Sequence, residues 1–549
     1  MSTADGGSSS APDAKRRRLS VAAPPPSALT SPAPVPVATA LDLPPELLDA
    51  VFMCLLQLTV ASIKGRPSLV GTKADAVVTR EVWALASPAA SVCRPFRAAF
   101  LGAVRNLRAS FNEKVAIKAV GRWPMGRTPT QAFVERSIAV CKVVPKLPRL
   151  HTLCVPYTKS PVTERAPAAW VSNLIHQELF YAARMSPSIV NLSWSGPNAV
   201  KPSLLATLVG QPIKSLTMGG LHVEPGPDAA GLARAQAVSV LQRLAPTLVF
   251  LTLSPAFCSS VRVDGDRALT RFLGDLGSMP HLNLIRVGSE PPAGSPAAVV
   301  AAATDDAVLF QFPRLATADL SKFHAGGVLT VATLCRLCPL LSLSLPDVGP
   351  LLVGELLEAI GAGRRSPRKV VFLQRPEFDA ASTAQWVATL KTTKELVLPG
   401  VRSPGMPAEL ASEPAPEVAA ALAVLAGLPR LKNLTLHRPY LHPCEAASFV
   451  LPNLETLHLV SPSFPAASAA ALVFALVKSA PALTSFTVSQ WRGELGSALF
   501  FLGQLPKLRE VFIDVTGLDN PAEVVSVSQA LGSLRRAHPA LRVKVVGLR

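Results

Sequence analysis

Three groupings of side chains in this chain of 549 residues could in principle do chemistry. Cys335 and Cys338 form a C-x-x-C in "TLCRLCP", the spacing of half a zinc site. A zinc ion needs a second pair of ligands at similar spacing, and the sequence holds none, so the two thiols are expected to face a core at a helix end. The glycines of "GAGRRS" (361–366) suggest a phosphate cradle, but no lysine-and-hydroxyl ending follows, and the stretch reads as a loop that terminates a helix. His437 and His442 could face one another, and a polar loop explains them as well. There is no G-x-S-x-G, no P-loop and no H-E-x-x-H. The sequence therefore predicts a protein that is not an enzyme and uses no cofactor and no metal ion.

Composition narrows the partners. The 54 basic and 36 acidic residues leave a formal charge of +18, which permits acidic-protein or nucleic-acid binding. The basic residues are scattered along the chain and few aromatics interleave them, so nucleic acid is not expected. The eight cysteines are sparse and most lie in apolar stretches, which fits buried free thiols in a reducing compartment rather than a disulfide framework. The polar N-terminus lacks an early apolar segment of the secretory kind. The longest apolar runs, such as "AAALVFALV" before Lys478, fall short of the roughly 18 residues that suggest a membrane span. Asn191 and Asn433 sit in N-x-[ST] sequences and are expected to be unmodified strand residues.

The elements that organise the chain come next. Residues 1–40 lack aromatics and are rich in Ala, Pro, Ser and Gly, so a disordered tail is expected. Within it, Lys15, Arg16, Arg17 and Arg18 form a short basic cluster suited to an importin groove, which points to the nucleus and/or the cytoplasm. Further on, a phrase recurs: a proline, one residue, then L-x-x-L-x-L or a close variant. Full copies lie at 147–155, 186–194, 245–253, 279–287, 312–320, 428–436, 451–459, 480–488 and 505–513. Shortened copies lie at 212–218, 339–345, 367–373, 393–398 and 539–545. The alternating end of the phrase reads as a short strand buried on one face, and the proline stops the helix before it. Helical stretches such as 202–211 and 468–480 lie between copies. Neither face can be buried alone, so strand–helix units must stack into one continuous core.

This pattern resembles a leucine-rich-repeat solenoid over about 145–549, and the fold class it implies is α/β, with parallel strands on the concave side and helices on the convex side. Ahead of it, "LDLPPELLDAVF" (41–52) opens on prolines suited to a first helical turn and continues as an apolar helical stripe. With "LASPAASVCRPFRAAFLGAV" (85–104), it resembles the F-box. Leu43, Pro44, Glu46, Leu47, Leu48, Phe52 and Leu55 match the first half of that family's motif. Ala89, Val92, Cys93, Arg94, Phe96 and Arg97 match the second. Residues 57–83 separate the halves and read as an inserted loop. The organisation expected is a tail (1–40), an F-box-like all-α unit (41–108) and the solenoid (109–549).

The resemblance implies a substrate receptor of an Skp-adaptor/cullin/F-box ubiquitin ligase. Leu43, Pro44, Leu47, Leu48, Val51, Phe52, Leu55, Val92, Cys93 and Phe96 would contact the Skp-type adaptor. The repeats would hold a protein substrate, and the chemistry would belong to the partners. The competing reading is a nuclear leucine-rich-repeat scaffold that binds proteins or RNA outside any ligase. In either case the residue between the two strand leucines should point outward. Those positions include Thr252, Arg286, Asp319, Thr435, His458 and Thr487, of which Arg286, Asp319 and His458 are the candidate substrate contacts.

Overall fold

The structure, a computed structural model, describes residues 77–78, 101, 104–108, 144–155, 169–194, 200–223, 226, 228–289, 309–323, 327–346, 353–363, 365–372, 378, 380–399, 416–439, 442–462, 466–490, 499, 501–514 and 521–546. The strands are β1 Val77–Val78, β2 Asn106–Arg108, β3 Thr152–Val155, β4 Asn191–Trp194, β5 Ser215–Met218, β6 Phe250–Leu253, β7 Leu284–Gly288 and β8 Thr317–Lys322. They continue as β9 Ser342–Ser344, β10 Lys369–Val371, β11 Glu395–Pro399, β12 Asn433–His437, β13 Thr456–Val460, β14 Ser485–Ser489, β15 Glu510–Asp514 and β16 Arg542–Val546. They form one open parallel sheet in strict sequence order. Every strand pairs only with the strand before it and the strand after it, which is the topology of a leucine-rich-repeat solenoid.

Each copy of the repeat phrase, full or shortened, ends in one of the strands β3 to β16. The proline in it does more than stop a helix. In "LPRL" the carbonyl of Leu428 accepts the N–H of Leu431, and the same bond recurs from Leu454 to Leu451 and from Leu150 to Leu147. Proline thus occupies the second position of a turn, where its fixed φ is already correct. The leucines on either side, Leu428 and Leu431, are both buried.

Register follows from the same residues. Leu107, Leu153, Leu192, Leu216, Leu251 and Ile285 face one another along consecutive strands. The row continues through Ala318, Leu343, Val370, Leu396, Leu434, Leu457, Phe486 and Val511 to Val543. From Leu107 to Val511 every member of that row is buried. A one-residue slip would turn the whole row to solvent, so burial fixes the register. Steps along the row run from 23 residues, Leu434 to Leu457, to 46, Leu107 to Leu153, and all of this variation lies between strands.

Helices close the other side of the core. In Asp266–Leu276 the buried residues Leu269, Phe272, Leu273 and Leu276 recur at helical spacing, and Phe272 meets Phe257 edge to face at 5.9 Å. Full burial of each such side chain contributes about 1.5–3 kcal/mol. The helix expected over 202–211 is an α-turn at Pro202–Leu205 that tightens to a 3-10 turn at Ala206–Leu208.

Two strands depart from the sequence expectation. β1 lies inside the stretch 57–83 read as an inserted loop, and β2 lies inside the span given to the helical unit, so the sheet begins before residue 109. Neither strand carries the proline phrase. Leu107 nevertheless alternates with polar neighbours and joins the buried row. Apart from these strands, Leu101, Val104 and Arg105, the F-box-like segment lies outside the described residues, as does the N-terminal tail. Among the described residues, no helix is long and apolar enough to cross a membrane.

Candidate interaction surface

Alternation sends the neighbours of the buried row to the concave face. One outward row, beginning at β3, is Cys154, Ser193, Thr217, Thr252, Arg286, Asp319 and Ser344. It runs on through Val371, Val397, Thr435, His458, Thr487 and Phe512 to Lys544. Thr252, Thr435, His458 and Thr487 are half-buried here while their strand neighbours Leu251, Leu253, Leu434, Leu436, Leu457 and Leu459 are buried. The outward direction expected for these residues is the one the structure has.

Arg286 and Asp319 are adjacent, on β7 and β8. The guanidinium Nε of Arg286 donates to Asp319 Oδ2 at 2.6 Å. The other carboxylate oxygen accepts from the Ser321 hydroxyl at 2.6 Å and its N–H at 3.2 Å. Burial works to raise the Asp319 carboxyl, but the bonds from Ser321 and Arg286 outweigh it and hold the group below its ordinary value. Arg286 keeps half of its side chain exposed. The pair offers a partner one accessible cation whose neutralising acid is already in place.

His458 stands apart from that pair, five strands along on β13. Its Nε2 lies 3.0 Å from the Ser489 hydroxyl. Burial, then the charge of neighbouring His437, lowers its pKa. Burial, then Arg438, does the same to His437. His442 caps the short helix Pro443–Ala447, accepting from the Cys444 N–H. The structure thus joins Arg286 to Asp319 and leaves His458 in a second polar cluster.

The other candidates resolve into structure. Cys335 and Cys338 are core-facing thiols at the end of the helix Val328–Leu337, and burial pushes Cys335 up to about 12. "GAGRRS" begins at the last residue of the helix Val353–Gly361. Asn191 and Asn433 each open a strand. Among the described residues, no group of three His, Cys, Asp or Glu side chains could hold a metal ion. The adaptor candidates Leu43, Pro44, Leu47, Leu48, Val51, Phe52, Leu55, Val92, Cys93 and Phe96 lie outside the described residues, as do Lys15, Arg16, Arg17 and Arg18.

No family model matches this chain, and no curated protein is similar to it in sequence. Among solved structures it is similar to the crystal structure of the TLR13–ssRNA13 complex, at 13% identity and a TM-score of 0.33. The match covers 82% of this chain and 63% of that chain, so it spans less than two thirds of the solved structure's length. The fold itself is established by strand order and register: an open leucine-rich-repeat solenoid, an architecture that serves as a protein-binding repeat scaffold.

Proposed function

We propose that this chain is the substrate-recognition subunit of an Skp-adaptor/cullin/F-box type ubiquitin ligase. The reading rests on one arrangement: an F-box-like sequence, its second half between β1 and β2, joined to a solenoid whose outward row is varied and mostly polar over an apolar buried row. In it, Leu47, Leu48, Val51 and Phe52 lie on an Skp-type adaptor, with Pro44 and Pro45 reducing the ordering cost of docking. The concave face holds the protein to be modified, and the bond-making chemistry belongs to the partners. Arg286 and Asp319 serve as one contact and His458 as another.

Co-purification with an Skp-type adaptor and cullin tests this. Leu47→Ala with Phe52→Ala removes two anchors, each contributing about 2–4 kcal/mol as interface hot spots do, and should abolish adaptor capture. Retained capture by a folded double variant would sink the ligase reading. Thr435→Arg with Thr487→Arg should instead block substrate capture and leave the adaptor bound, since both residues lie on the concave row.

A further inference from the structure

Cations that are far apart in sequence meet on one flank of the solenoid. The residue just before each strand bonds its counterpart in the next unit. Lys394 N–H donates to the Arg368 carbonyl at 2.7 Å, Lys432 N–H to the Lys394 carbonyl at 2.9 Å, and Glu455 N–H to the Lys432 carbonyl at 2.7 Å. Arg368, Lys394 and Lys432 therefore stand on adjacent strands, a span of roughly 10 Å from β10 to β12. Two or three residues earlier in the same turns stand Arg365, Lys391 and Arg430, all exposed. Arg368 and Lys394 are exposed too, and Lys432, paired with Glu455, keeps nearly half of its side chain in solvent.

The set is bounded and mostly unneutralised. Arg365, Arg368, Lys391, Lys394 and Arg430 have no ion-pair partner among the described residues. In the flanking units the corresponding position is the exposed Leu341 before β9 and Glu455 before β13. Helix dipoles explain little of this. A cation in the last helical turn faces the negative end of its helix, as Arg243 and Arg336 do. Of the six, only Lys391 directly follows a helix; the others lie further beyond helix ends.

We propose that Arg365, Arg368, Lys391, Lys394, Arg430 and Lys432 form a docking patch for an extended acidic segment of a protein partner. Acidic side chains on one face of an extended peptide recur about every 7 Å, against roughly 5 Å between the backbones of neighbouring strands, a difference that the long arginine and lysine side chains of the patch take up. Nucleic acid fits less well, because single strands bind through aromatic platforms. The exposed aromatics among the described residues, Tyr181, Phe250, Phe474 and Phe501, all lie in other units. The patch rests on the reading above only in taking the partner to be a protein.

Fluorescence anisotropy of labelled decaglutamate on the full-length chain tests the patch. Decaglutamate should bind at low salt and release at high salt. Arg368→Glu with Lys394→Glu should weaken it about tenfold more than Lys507→Glu with Arg509→Glu, which makes the same charge change on the β15 unit. Absence of binding, or equal loss in the two variants, overturns the proposal. Tighter binding of decauridylate through Arg368 and Lys394 overturns it as well, by making the patch a nucleic-acid site. Adaptor capture is measured separately on the same chains, so a failed ligase reading and a failed patch give different results.

Discussion

Asp266 and Thr330, 64 residues apart in sequence, are joined at a helix start. Asp266 Oδ1 accepts the Thr330 N–H at 2.9 Å and its hydroxyl at 2.6 Å, while Oδ2 accepts the Leu329 N–H at 2.8 Å. The helix Val328–Leu337 begins after Gly327, at φ 112°, and has no capping side chain of its own. A carboxylate in the first turn of one helix thus satisfies the free N–H groups of another. Asp266→Ala should destabilise the chain by about 2 kcal/mol in denaturant melts, and Asp266→Asn by about half as much, because the amide keeps one acceptor. A loss below about 0.5 kcal/mol for Asp266→Ala would mean that water replaces the cap.

The Arg286–Asp319 pair gives a pH signature. Asp319 is held below its ordinary value, so the folded state takes up its proton less readily than the unfolded chain. Its contribution is complete above about pH 4 and is lost as pH falls through the lower folded value. Arg286→Gln should cost about 0.5–1 kcal/mol at neutral pH, a small figure because Arg286 is half exposed. The gap from the wild type should close in acid. Arg286→Glu sets a second carboxylate against Asp319 and should destabilise more than Arg286→Gln.

His437 and His458 act in a different window. Burial lowers both, so protonation favours the unfolded chain. Their contribution is whole above about pH 6.5 and is lost as pH falls from there through the folded values. The variant His437→Gln with His458→Gln should show a flatter stability profile than the wild type between neutral pH and about pH 5. Parallel profiles would show that both rings relax into solvent before they charge.

Trp386 is fully buried against Phe372 and Phe378, with centroids 5.4 and 4.8 Å away, and its indole N–H has no hydrogen-bond partner among the described residues. Trp386→Phe removes that orphan donor while keeping a ring in place, and should change stability by less than about 1.5 kcal/mol. Trp386→Ala leaves a cavity and should cost about 3–5 kcal/mol. Similar losses for the two variants would mean that the indole N–H is satisfied after all.

The strands β3 to β16 were legible because all but β11 follow a proline turn, Leu-Pro-x-Leu in its fullest form, and then alternate. β1 and β2 lack that turn, and a two- or three-residue strand gives alternation too little length to register. The outward direction of Thr435 or His458 follows from period two alone. The pairing of Arg286 with Asp319 needed the register, which no local spacing encodes. The basic flank was invisible for the same reason. Arg368, Lys394 and Lys432 look scattered in sequence and become neighbours only when the ladder stacks them. The Asp266 cap has no local signature, since donor and acceptor belong to different units.

The ladder that fixes register also absorbs changes in length. Units of 23 residues and of 46 residues meet the same row of bonds, so the spacers carry the difference. Doubling a loop adds only about 0.6 kcal/mol to its closure. A spacer can therefore gain or lose residues in evolution without shifting any strand, and each unit becomes a separate place to add new surface. What the chain grips can drift one unit at a time while the frame that presents it stays the same.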